Sequence, residues 1–137
     1  MWSYYANNHT GFCLEFKNTN RSRIEDKIRT RKVKYVFKNE FEVPINNISE
    51  NQLKALDSLI NTKNIKWDHE NEWRILYDIG NKPYPFPGKL TKVIFGCKTK
   101  KEDIDLVMNI LKNTVKYEKM ELDLDNYKLI PKIIEYK

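Results

Sequence analysis

Two carboxylates and a guanidinium stand at alternate positions in Glu70-x-Glu72-x-Arg74, within Trp67-Asp68-His69-Glu70-Asn71-Glu72-Trp73-Arg74. On a strand, alternate side chains share a face and stand roughly 7 Å apart, close enough for long polar groups to act together. Such a trio in a cleft is a candidate site. The competing reading is a scaffold, in which Glu72 and Arg74 pair with each other or across strands at small energetic gain. Trp67 and Trp73 are then core aromatics. His69 precedes Glu70, points to the other face and receives no role. A second candidate group lies at the start of the chain. Trp2, Tyr5, Ala6 and His9 fall at i, i+3, i+4 and i+7, one face of a short helix. His9 there is either a hydrogen-bonded structural histidine or a catalytic one, and catalysis would need a partner.

Other chemistries find less support. Cys13 and Cys97 are far apart, neither forms a CxxC, and no histidine cluster surrounds them, which argues against zinc. They are expected to be free, mostly buried thiols in a reducing cytoplasm. No GxGxxG or GxxxxGK[ST] occurs, so an ordinary nucleotide-hydrolysing enzyme is improbable. The chain carries 25 Lys+Arg against 19 Asp+Glu, a formal +6. The dense basic stretch runs from Arg21 to Lys34 and includes Arg23 and Arg29, diluted by Glu25 and Asp26. Beside Tyr35 and Phe37 it could hold a nucleic-acid backbone with aromatic stacking, or it could be a solvated face. Elsewhere lysine is scattered among Asn and Ile, as in an AT-rich coding sequence.

These residues need elements to position them. Gly11 suits a left-handed cap that ends the first helix near His9–Thr10. Phe12, Leu14 and Phe16 alternate as a strand, and Val33, Tyr35 and Phe37 as a second. Ser49 is a plausible cap for a helix carrying Leu53, Leu56, Leu59 and Ile60, which ends near Thr62–Asn64. Trp73, Ile75 and Tyr77 share one strand face, with Glu70, Glu72 and Arg74 on the other. Pro83, Pro85 and Pro87 exclude regular structure between them. Leu90–Cys97 is an apolar strand, and Ile104, Val107, Met108 and Leu111 stripe a helix with Glu102 and Asp103 in its first turn. Val115–Leu122 and Tyr127–Ile134 close the fold, paired through Asp123–Asn126. The expectation is one α+β domain over residues 1–137, a mixed, mainly antiparallel sheet with about three helices. At 137 residues and 40% hydrophobic the chain can bury a core. No apolar run approaches the roughly 18 residues of a membrane span, so a cytoplasmic protein with no membrane partner is expected.

Three segments in order carry a resemblance: Trp2-Ser3-Tyr4-Tyr5-Ala6-Asn7-Asn8-His9-Thr10-Gly11-Phe12-Cys13-Leu14-Glu15-Phe16, then Trp67 to Arg74, then Lys92-Val93-Ile94-Phe95-Gly96-Cys97-Lys98. Together they resemble the bacterial family called domain of unknown function 2971. Tyr4 stands where that family usually has histidine. Family members usually carry an upstream half before the Trp-Ser segment, so the chain resembles a C-terminal portion. That implies either an N-terminal fragment as partner or self-association. An interaction half of a truncated or split protein is therefore one expectation. Separately, Glu70-x-Glu72 resembles the third motif of mono-ADP-ribosyltransferases. That likeness implies NAD as the nucleotide, with Glu72 gripping a ribose hydroxyl and steadying the positive charge as nicotinamide leaves. Glu70 would orient the acceptor, and Tyr5, His9 and Trp2 would supply stacking or a ribose contact. A preorganised carboxylate beside a developing oxocarbenium ion is sound electrostatic catalysis.

Overall fold

Val93 and Phe95, alternate residues of one short strand, are completely buried, and half of the molecule is built around them. The computed structural model describes residues 2–17, 29–40, 56, 58–77, 79–85 and 88–136. In chain order its elements are α1 (Trp2–Tyr5), β1 (Phe12–Lys17), β2 (Arg29–Lys32), β3 (Lys34–Val36), β4 (Thr62–Asn64), β5 (Trp73–Leu76), β6 (Lys89–Phe95), α2 (Lys101–Leu111), β7 (Lys116–Asp123) and β8 (Lys128–Ile133). A 3-10 turn at Lys38–Glu40 follows β3, and a longer one at Ile65–Glu70 follows β4. The fold is α+β, with mixed and mainly antiparallel pairing. The chain divides into two compact units, Met1–Arg21 with Tyr84–Lys137, and Ser22–Pro83.

The first unit is a four-stranded sheet in the order β1-β6-β7-β8. β6 and β7 run parallel, joined through α2, and the outer pairings are antiparallel. Ile104 and Met108 from α2 pack on Val93, Phe95 and Tyr117, flanked by Leu14, Val107, Leu111, Val115, Ile134 and Tyr136. Spacing of three and four residues turns exactly these helix positions inward, and leaves Leu106 and Ile110 exposed. Phe95 stacks on Tyr117 at 6.4 Å between ring centroids. Pro131 lies in β8, an edge strand where a missing N–H is tolerated. Both cysteines are free and half-buried, and burial pushes the Cys13 thiol upward, with Glu15 adding to the shift.

The N-terminal segment departs from the expected helix. α1 ends at Tyr5, and Asn7, Asn8 and His9 follow with φ of 46°, 54° and 71°. Three consecutive left-handed residues cannot continue a right-handed helix, and asparagine tolerates that conformation best. His9 therefore does not sit on a helical face with Trp2 and Tyr5. Gly11 is not the left-handed residue. It is tight against Ala6 instead, since a Cβ there would stand 3.2 Å from the Ala6 Cα and carbonyl oxygen. The loop docks on the turn after β6. Gly96 N–H donates to the Gly11 carbonyl at 2.9 Å and Lys98 N–H to the His9 carbonyl at 3.0 Å. The buried Thr99 hydroxyl donates to the Gly11 carbonyl at 3.0 Å.

In the second unit β2 pairs antiparallel with β5, and β3 pairs parallel with β4. The expected single strand through Val33, Tyr35 and Phe37 is instead β2 and β3, separated at buried Val33. Its N–H donates to the Glu72 carbonyl at 3.0 Å, outside both ladders. Backbone at 58–61 is helical, in line with the expected helix end, and Ser49 and Leu53 lie outside the described residues. No helix among the described residues is long and apolar enough to cross a membrane.

Candidate active site

Glu70, Glu72 and Arg74 are not three positions of one strand. Glu70 closes the 3-10 turn, Asn71 turns the chain with φ 43° and ψ 47°, Glu72 lies between elements, and only Arg74 belongs to β5. Alternation fails because one left-handed residue stands between the two glutamates. Their side chains nevertheless meet. Arg74 donates from Nε to Glu72 Oε1 at 2.6 Å and from Nη2 to Oε2 at 3.2 Å, a bidentate pair. Arg74 Nη1 also donates to the Ile60 carbonyl.

The centre of the cluster is Lys63, which the sequence did not single out. Its ammonium lies 2.5 Å from Glu70 Oε2 and 2.9 Å from Glu72 Oε2. It also stands 5.5 Å from the Trp67 ring centroid, a cation–π distance. Lys63 lies in β4, seven and nine residues before its partners, a spacing with no helical or strand signature. β3 and β4 position it, and the 3-10 turn brings Glu70 back over it. Asn64 opens that turn, its side chain accepting from Lys66 N–H at 3.0 Å. Tyr35 fixes the remaining side by accepting from Glu72 N–H at 2.8 Å.

The charges balance, two carboxylates against two cations. The Arg74 guanidinium, aided by Lys63, holds the Glu72 carboxyl down at about 2 against burial that opposes it. A carboxylate that acidic is a poor general base near neutrality. It is suited to accepting a hydroxyl hydrogen bond or steadying positive charge. The Glu70 side chain is 7% exposed and that of Glu72 27%, so Glu72 is the accessible carboxylate. Trp67 is half-buried and stacks on His69 at 6.1 Å, while Trp73 is 59% exposed. Trp73 is thus no core aromatic. Ile75 and Tyr77, expected on the same face, are half-buried.

Trp2, Tyr5 and His9 belong to the first compact unit, and the glutamate–arginine cluster to the second. Tyr5 is 65% exposed, whereas Trp2 and His9 are half-buried. His9 Nδ1 is buried without a hydrogen-bond partner among the described residues. Arg21 and Arg23 lie outside the described residues, and Arg29 opens β2 opposite Leu76. Among the described residues no three His, Cys, Asp or Glu side chains converge to hold a metal.

A family model described as protein of unknown function (DUF2971) matches residues 1–75. That span includes the Trp2–Phe16 segment and the Lys63, Glu70, Glu72 and Arg74 cluster. No curated protein and no solved structure matches the chain.

Proposed function

The chain belongs to this family of proteins of unknown function, and from that starting point we propose a nucleotide-dependent, ADP-ribosyltransferase-like activity centred on Glu72. One observation supports the reading above the rest: the Glu72 carboxylate is held ionised and in one orientation by Arg74 and Lys63. A ribose hydroxyl donates to it, and its negative charge offsets the positive charge that grows on the sugar as the bond to nicotinamide breaks. Water or an acceptor side chain forms the new bond to the anomeric carbon, and its proton passes to solvent. NAD is the expected nucleotide, and Glu70 positions the acceptor through Lys63.

A second reading has its own support. Ion pairs link all four charged side chains, which is what a clasp holding β4, the 3-10 turn and β5 together would require. The two separate in Glu72→Gln. If Glu72 acts on ribose, release of nicotinamide from NAD or self-modification falls at least about a hundredfold, the scale of losing one preorganised electrostatic contact. The circular dichroism spectrum stays native. The melting temperature falls under both readings, because the ion pairs are present in both, whereas a clasp alone predicts no NAD turnover in either protein.

A further inference from the structure

Where β7 begins, a cavity of about 510 Å³ opens against the sheet of the first unit. We infer that it binds a free α-amino acid with a large apolar side chain, its carboxylate on Lys116 and its ammonium on Glu135. The site belongs to a different unit from the Glu72 cluster and needs none of its chemistry.

The cavity arises where a ladder stops. β7 and β8 pair as far as Glu118 opposite Ile133, and the Ile134 N–H still donates to the Tyr117 carbonyl at 3.1 Å. Two residues further, the same register would set Lys116 opposite Glu135, and opposite charges facing each other across two strands are a favourable pair. β8 nevertheless ends at Ile133. Among the described residues neither Lys116 nor Glu135 forms an ion pair, although both line the cavity. The gap therefore carries an unmatched cation on one strand and an unmatched anion on the chain that leaves the other.

The alternation of β7 gives the gap two characters. Lys116 and Glu118 share one face, with Ile133 across from Glu118. Val115 and Tyr117 share the other, where Val115, Ile134 and Tyr136 pack against the core. The Tyr117 hydroxyl donates to the Lys112 carbonyl at 2.5 Å, so this wall is already fixed in place. The other charges of the lining are matched: the Lys92 ammonium lies 2.8 Å from Glu118 Oε1. One positive and one negative group remain, beside an apolar wall.

That remainder selects the ligand. A simple anion satisfies Lys116 and leaves Glu135 unmatched, and a simple cation does the reverse. An α-amino acid carries both signs on one carbon, and its side chain lies along Val115, Ile134 and Tyr136. The volume falls within the roughly 300–1,000 Å³ of ligand cavities, which combine apolar walls with a few polar groups that fix orientation.

The test is NMR titration of the full chain with leucine and phenylalanine, each beside its N-acetyl and amide derivatives, which lack one charge apiece. At least one free amino acid should bind at millimolar concentration. Both of its derivatives should bind at least about tenfold more weakly, the scale of a lost hydrogen bond to a charged group. Lys116 and Glu135 are exposed, so their substitution should leave the fold intact. Lys116→Met should weaken the free amino acid by a similar factor without weakening the amide, which has no carboxylate to lose. Glu135→Gln should do the same while sparing the N-acetyl derivative. No binding of either amino acid at millimolar concentration, derivatives that bind as well as the free form, or binding unchanged in both variants overturns the inference. No arm of the test reads NAD turnover, so its outcome is independent of Glu72.

Discussion

Glu72 owes its acidity to Arg74 first and to Lys63 second, and this fixes how the protein should respond to acid. Its folded value of about 2 lies below the ordinary 4.5, so folding favours the ionised form. The stabilisation is complete above the unfolded value and disappears as pH falls through the folded one. The urea midpoint of the wild type should therefore drop between about pH 5 and about pH 2, and that of Glu72→Gln should drop less. At neutral pH the substitution should cost about 1.5–3 kcal/mol, the range for hydrogen bonds to charged groups. Gly96 offers a purely steric counterpart. A Cβ there would stand 2.1 Å from the His9 carbonyl oxygen, a backbone atom that cannot swing aside. Gly96→Ala should cost about 1–3 kcal/mol or more in chemical denaturation. Gly80→Ala, with nothing within 4 Å, should leave the midpoint unchanged.

Among elements, α2 carries the sharpest contrast between neighbouring residues. Met108 packs in the core and Met108→Ala should cost about 2–5 kcal/mol. Ile110, two residues on, is 69% exposed, and Ile110→Ala should stay within about 0.5 kcal/mol. The same contrast explains what could be read from the residues alone. β1, β6, β7 and α2 were legible because each repeats its apolar period against a packed neighbour, and the largely exposed β8 through the polar Asp123–Asn126 turn that pairs it with β7. The stretch from Lys63 to Arg74 was legible only in its residue types. Asn71 breaks the alternation of Glu70 and Glu72, and a 3-10 turn replaces the expected strand. Lys63 announced nothing, since its partners reach it through tertiary folding rather than through sequence spacing. In the N-terminal segment the helical period was present, yet Asn7, Asn8 and His9 adopt left-handed backbone that docks on Gly96.

At the scale of the molecule, the core cluster of Val93, Phe95, Ile104, Met108 and Tyr117 comes entirely from the first unit. The second unit, Ser22–Pro83, enters the chain between β1 and β6, whose last register pair is Lys17 opposite Lys89. Replacing residues 22–83 with a short Gly/Ser turn should leave the four-stranded sheet folded. Each halving of the connection would favour it by about 0.6 kcal/mol, and circular dichroism with urea titration would read both effects. The pairing of β1 with β6 also has a consequence in time. β6, α2, β7 and β8 are consecutive and can assemble through short-range contacts, whereas β1 must wait for a loop of some seventy residues to close, an entropic toll that slows non-local pairing. Amide protons of β6 and β7 should accordingly gain protection before those of β1 in pulse-labelled refolding, with β1 the last strand to join and the first to let go.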